Sequence, residues 1–134
     1  MPRKSARERR LELADAAFAK GREMPTPCSS CRRSGRRCLV DLGAGIGVST
    51  VPLLRAAPAQ AHVWAVDPAR AMVARGRKEL KDPRVRWLCG DVDSVLETRG
   101  EGSVDAAICS ATLGFVSNSQ AVLSALQKTL KPGG

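Results

Sequence analysis

Four short apolar runs mark out the chain from residue 38 onward: Cys38–Asp41, Ala61–Val66, Arg84–Leu88 and Val104–Cys109. The first is apolar until its final acid, as expected of a strand buried on both faces of a parallel sheet, whereas RVRWL alternates. Between the runs the period changes. Val48, Val51 and Leu54 fall on one helical face of Val48–Ala57, with Pro52 tolerable only inside the first turn. Ala69, Met72, Val73, Gly76 and Leu80 recur at i, i+3, i+4, i+7 and i+11, an amphipathic helix that Asp82-Pro83 breaks. Val92–Glu97 predicts a short helix, and Ser117–Leu130 a longer one with Leu123, Leu126 and Leu130 on one stripe, stopped by Lys131-Pro132-Gly133-Gly134. Strands alternating with helices predict an α/β fold: right-handed crossovers and an open, mostly parallel sheet with helices on both faces.

Ahead of this pattern, Ser5–Lys20 reads as a helix with Leu11, Ala14 and Phe18 on one face, ended by Gly21. From Arg22 to Arg37 apolar periodicity is lost and Pro25, Pro27, Ser29, Ser30, Ser34 and Gly35 predict a linker. The chain thus divides into a basic N-terminal segment, 1–37, and one folded unit, 38–134, which suits a length of 134 residues. Charge sharpens that division. Of the net +9, residues 1–38 hold +7, from 11 Lys or Arg against 4 Asp or Glu, and residues 39–134 hold +2. Such a run can touch nucleic acid or an acidic partner by phosphate-type attraction, or stand as a solvated extension.

No run of 18 apolar residues suggests a membrane span. The N-terminus lacks the apolar core of a secretory signal, and Glu8, Glu12 and Asp15 argue against a transit peptide. The expectation is a soluble, cytoplasmic protein whose five cysteines are reduced.

The candidate chemistry centres on VDLGAGIG, Val40 to Gly47, a strand end running into Gly43, Gly45 and Gly47, which alternate with Ala44 and Ile46. Such a loop turns sharply, lets a ligand approach the backbone, and leads into a helix N-terminus that favours anionic groups. Three carboxylates, Asp41, Asp67 and Asp91, close the first three predicted strands. Carboxyl ends of strands line the ligand crevice of an open parallel sheet. Asp67 lies 20 residues beyond Gly47, where a carboxylate after the second strand can accept both hydroxyls of a ribose, and Asp91 with the backbone of Val92 is placed to meet a purine edge. Trp64 and Trp87 sit within strands as packing residues; His62 opens a strand and receives no catalytic role.

Residues 39–134 resemble the N-terminal part of the catalytic domain of class I, seven-stranded, Rossmann-like S-adenosylmethionine-dependent methyltransferases. The resemblance rests on VDLGAGIG, VWAVDPARAM, LCGDV, SVDAAICSATLGFV and LKPGG taken together. It implies S-adenosylmethionine as cofactor and an unidentified methyl acceptor. Gly43, Ala44, Gly45 and Gly47 would approach the methionine part, and Asp41 would hold its amino group directly or through water. Asp67 would bind the ribose, Pro68 and Met72 would lie near the adenine, Asp91 and Val92 would read its edge, and Ser110 would border the methyl-donor end. No catalytic base and no metal ligand is assigned. Gly114 departs from the family, where a larger residue often stands near the acceptor. A second departure is the end at Gly134, before the family's fifth strand and closing antiparallel pair. It implies an exposed edge at the fourth strand, open to self-association, and a partial domain.

Two other readings compete. A nicotinamide-dinucleotide oxidoreductase shares the glycine loop and the acid after the second strand, but its G-x-G-x-x-G would put the third glycine at Val48. Cys28, Cys31 and Cys38, with arginines between them, resemble the first half of fungal binuclear zinc-cluster DNA-binding domains, a zinc and nucleic-acid module. The second half is absent, and zinc wants four ligands.

Overall fold

A computed structural model describes residues 35–134 apart from Gly100, Ala111 and Phe115. The helix expected over Ser5–Lys20, nearly all of the linker, and Cys28 and Cys31 lie outside the described residues. From Cys38 onward the chain alternates strictly: β1 (Cys38–Leu42), α1 (Thr50–Ala56), β2 (His62–Asp67), α2 (Arg70–Glu79), β3 (Val85–Cys89), α3 (Val92–Arg99), β4 (Ala106–Cys109) and α4 (Ser119–Thr129). These are the eight expected elements, in the expected order. Several begin one or two residues late, two of them with a plain physical cause. Residues 45–49 stay in turns, so α1 starts at Thr50 and Pro52 falls in its first turn, where its missing N–H costs no helical bond. Val104 pairs with Leu130 at the end of α4 instead of with β1, so β4 begins at Ala106.

All strand pairs are parallel, in the order β3-β2-β1-β4. The chain steps outward from β1 to β3, then returns to place β4 on the other side of β1. Strand order therefore reverses between β1 and β4, where a parallel sheet opens its crevice. Alternation along the strands divides the core in two. Cys38, Val40, Leu42, Trp64, Val66 and Leu88 pack with Val92, Val95, Leu96 and Val122 beneath α3 and α4. Leu39, Val63, Ala65, Val85 and Trp87 pack with Leu54 and Val73 beneath α1 and α2.

Two expected helical faces are adjusted. Leu123 is 47% exposed, but Leu126 and Leu130 pack partly buried against the core as expected, beside the fully buried Val122 and Thr129, so α4 departs from the leucine stripe at Leu123. Thr129 fits there because its hydroxyl donates within its own helix to the Ala125 carbonyl at 2.6 Å, with the Leu96 carbonyl at 3.5 Å. Val48 is 78% exposed because it precedes the helix, and Thr50 and Leu54 supply the buried face.

At the amino ends of β1 and β4, Asp105 joins three segments: it accepts from the Cys38 N–H at 2.7 Å, from Lys131 Nζ at 2.9 Å and from Arg37 at 3.4 Å. Burial would raise its pKa, but the Cys38 N–H, Lys131 and Arg37 outweigh that and hold it below the usual carboxylate value. The two sheet edges differ. Arg77 donates to the Trp87 carbonyl at 2.8 Å and so covers part of the β3 edge, while β4 presents Ala106, Ala107, Ile108 and Cys109 with no charge among them. Among the described residues no strand lies beyond β4.

Trp87 fixes how closely α2 approaches the sheet. A Cβ on Gly76 would stand 2.3 Å from its ring, and one on Gly47 would stand 3.2 Å from the same ring. With backbone on both sides the indole has little room to move. Gly76→Ala should therefore destabilise the fold: overpacking costs about 1–3 kcal/mol, more than the helix propensity gained, about 1 kcal/mol. Thermal denaturation checks this, and a midpoint at or above wild type would show that the ring relocates.

Candidate functional site

The carboxyl end of β1 delivers Asp41 to a fully buried position. Its carboxylate accepts from Ser49 Oγ at 2.9 and 3.0 Å and from Thr50 Oγ1 at 2.7 Å. Burial raises the pKa of Asp41; the Thr50 and Ser49 hydroxyls pull it partly back, and the charge of Asp67 pushes it up again. The acid thereby ties the strand to the first turn of α1, across the glycine loop.

The loop itself is pinned from below. The N–H groups of Gly43 and Ala44 both donate to the Val66 carbonyl, at 2.8 and 2.9 Å, and Gly47 donates to the Ala44 carbonyl at 2.9 Å. Three glycines that look alike in sequence do three different things. A Cβ on Gly43 would lie 1.8 Å from Thr112 Oγ1, so its absence lets the segment after β4 press against the loop. Gly47 makes room for Trp87 and Leu80. All three have positive φ, 73°, 58° and 104°, but only Gly45 has no described atom within 4 Å of a Cβ, so it is the glycine that opens onto free space. The Ala44 side chain is buried in the core beneath α1 and α2, leaving its backbone to shape the loop.

Asp67, at the end of β2, is half-buried and turned toward the loop. Its Oδ2 accepts from the Gly45 N–H at 2.9 Å and its Oδ1 from the Ala69 N–H at 2.8 Å. The Asp67 carbonyl in turn accepts from the Gly90 N–H at 3.2 Å, which holds the turn after β3 level with the end of β2. In that turn Asp91 is exposed, while the Val92 side chain is buried under α3. Pro68 is exposed and Met72 half-buried at the start of α2. After β4, Ser110 is exposed, and its carbonyl accepts from Thr112 Oγ1 at 3.0 Å. The same hydroxyl lies 2.9 Å from the Leu42 carbonyl.

The registers Asp67↔Cys89, Leu42↔Val66 and Leu42↔Cys109 bring these strand ends to one level. Along that rim the groups stand in the order Asp91, Asp67, Gly45 with Asp41 behind it, and Ser110. Cys89 and Cys109 lie on the rim too, each with its pKa raised, chiefly by burial, so both are protonated thiols and poor nucleophiles near neutrality. Among the described residues no group of His, Cys, Asp and Glu could hold a metal ion, and Cys38 is committed to β1. Sequence reasoning named the acids but missed Ser49, Thr50 and Thr112. The first two carry a signal, hydroxyl residues at a helix start. Thr112 reaches Leu42 across 70 residues of sequence.

Residues 39–134 match the methyltransferase domain family. The chain belongs to this family. The assignment sets aside the nicotinamide-dinucleotide reading. The chain is 35% identical over 98 residues to trans-aconitate 2-methyltransferase of Delftia acidovorans, covering 73% of this chain and 35% of that one. It is 31% identical over 103 residues to carboxy-S-adenosyl-L-methionine synthase of Hydrogenovibrio crunogenus, covering 72% and 39%. It therefore spans well under half the length of these relatives. Among solved structures, phosphoethanolamine N-methyltransferase 2 of Haemonchus contortus, in complex with phosphomonomethylethanolamine and S-adenosylhomocysteine, superposes with a TM-score of 0.62. That pair shares 21% identity, with 92% of this methyltransferase-family chain and 26% of the other covered.

The raised pKa of Asp41 has a measurable consequence. The folded state binds more protons than the unfolded state from the usual carboxylate range upward, so wild-type stability falls as pH rises through that window. Asp41→Asn should raise the thermal midpoint at pH 7, with the gain shrinking below about pH 4, where both side chains are neutral. A gain independent of pH, or a loss at pH 7, would show that the ionised carboxylate is fully compensated in place.

Proposed function

We propose that residues 39–134 form the S-adenosylmethionine-binding part of a methyltransferase that acts on an acceptor yet to be identified. The observation that carries this reading is the serial order along the rim, in which Asp91, Asp67, Gly45 and Ser110 stand over neighbouring strands β3, β2, β1 and β4. An extended nucleoside joined to an amino acid needs groups in that order: an adenine edge, a ribose, a methionine moiety and the reacting end.

The residues fit the cofactor in their own chemistry. Each Asp67 oxygen already accepts one N–H and keeps a lone pair, so two ribose hydroxyls can be met without releasing the loop. Asp91 and the Val92 N–H face the adenine edge, with Pro68 and Met72 alongside. Gly45 leaves open space for the methionine moiety, flanked by the backbone of Gly43, Ala44 and Gly47. Asp41 is sealed from solvent, so it serves the methionine moiety by holding Ser49, Thr50 and the start of α1 in place. Ser110 borders the methyl-donor end. When bound, the cofactor supplies a methyl group already activated by its sulfonium, and the chain's task is to align donor and acceptor. None of these residues is assigned as a general base.

Two partner expectations belong to the same proposal. The basic residues 1–38 support contact with nucleic acid, and the uncovered β4 edge supports self-association. No described helix is long and apolar enough to cross a membrane.

Titration calorimetry with S-adenosylmethionine, S-adenosylhomocysteine and a nicotinamide dinucleotide tests the reading. Heat is expected with the first two only, and folded protein that binds neither would overturn it. Asp67→Ala should weaken S-adenosylhomocysteine at least about tenfold, the loss of two charge-assisted hydrogen bonds. Asp82→Ala, which removes the ion pair with Arg84 and the bond from the Arg84 N–H at the turn before β3, should stay within about twofold. Equal losses would remove Asp67 from the site.

A further inference from the structure

The net charge of residues 39–134 is concentrated in one place. Residues 70–86 carry seven Lys or Arg against two Asp or Glu, a net of +5, so the rest of the folded part is net negative. Both acids are already engaged, Glu79 by Arg75 at 2.6 Å and Asp82 by Arg84 at 2.9 Å. Arg70, Lys78, Lys81 and Arg86 are exposed and enter no ion pair among the described residues.

Their placement makes a band. Arg70, Arg77 and Lys78 follow at i, i+7 and i+8, along one side of α2. Arg77 reaches the carbonyl of Trp87, so this side of α2 leans over the outer edge of β3. Arg86, next to Trp87 on that strand, alternates to the opposite face of the sheet, and the same edge is thus flanked by cations on both faces. Beyond it, Arg36 lies 3.1 Å from His62 Nε2. His62 registers the local field: its pKa is lowered by burial first and then by the charges of Arg36 and Arg86.

We propose that this edge, formed by α2 and β3 and bounded by Arg70, Lys78, Lys81 and Arg86, is a docking surface for the phosphate backbone of a nucleic acid. Phosphate fits because guanidinium groups bind it in a forked geometry and because the acids that would repel it are neutralised by their own partners. A protein partner fits less well. Stable protein interfaces bury apolar and aromatic anchors, and the large hydrophobic side chains exposed among the described residues are Val48 and Leu123, neither on this band. Of the four bounding residues only Arg70, which starts α2 between Pro68 and Met72, borders the rim, and the proposal stands whether or not the rim binds S-adenosylmethionine.

Fluorescence anisotropy of the full chain with a labelled 20-nucleotide single-stranded RNA and a duplex DNA, at about 50 and 200 mM salt, tests it. The fourfold variant Arg70→Gln, Lys78→Gln, Lys81→Gln, Arg86→Gln should weaken RNA or DNA at least about tenfold at the lower salt. For single strands it should flatten the dependence of log affinity on log salt by up to about 3, at roughly 0.7 per lost phosphate contact. A matched variant with Arg3, Lys4, Arg9 and Arg10 changed to Gln, which reads the N-terminal contact separately, should lose less than the fourfold variant. Circular dichroism and the thermal midpoint of both variants report whether the fold is kept. If the first variant is unfolded, the same four positions are tested singly, where each loss should be about two- to fourfold with the midpoint unchanged. Wild-type protein that binds neither probe, a folded fourfold variant within twofold of wild type, or a loss confined to the N-terminal set would overturn the proposal. So would a poly-glutamate peptide of matched charge binding as tightly as the RNA. Calorimetry with S-adenosylhomocysteine on the same samples keeps a failure here distinct from a failure of the cofactor reading.

Discussion

The site depends on a carboxylate that, among the described residues, is buried without a countercharge. Asp41 is removed from water and compensated there by the hydroxyls of Ser49 and Thr50, so the ionised form is costly and its partners are tightly specified. Because those partners lie on the far side of the glycine loop, satisfying Asp41 also sets the path of the loop and the start of α1. A neutral side chain there would relieve the penalty but would remove the charge at the back of the cleft. Natural sites often keep such a cost because the geometry it enforces is the useful product.

A second constraint comes from the other side. Thr112 fills the space where Gly43 lacks a Cβ and lies within bonding distance of the Leu42 and Ser110 carbonyls. It links the segment leaving β4 to the loop leaving β1, and Asp67 links that loop to β2 through Gly45. The three loops above β4, β1 and β2 therefore behave as one connected set. A shift in any one of them changes hydrogen bonds in the next, which is how a cleft built from separate turns keeps a single shape.

The element order and the parallel sheet were legible in the sequence because apolar period alone separates continuous strand runs from helices spaced at three and four residues. The strand-end acids were legible because a carboxylate closing an apolar run is an uncommon pattern that recurs three times here. What escaped was decided by contacts between distant residues. Asp105 reads as one acid in a β4 run, yet it gathers Cys38, Arg37 and Lys131 from both ends of the described chain. On α4 only Leu123 departs from the expected inward stripe, and Thr129 joins Leu126 and Leu130 on the core side because it satisfies its own hydroxyl and fits beside Leu96. The three loop glycines could not be told apart, since their distinct roles depend on Thr112, Trp87 and open space, none of which is local.

The strand order also fixes a length. Neighbouring strands lie about 4.8 Å apart, so the ends of β3, β2, β1 and β4 span roughly 14 Å from first to last. The rim is in effect a ruler with four marks, and only a ligand extended over that whole distance reaches all of them. A fragment that carries one end of such a molecule would engage adjacent marks and leave the others empty. On the proposed cofactor reading, shorter nucleosides are disfavoured by the spacing of the backbone itself.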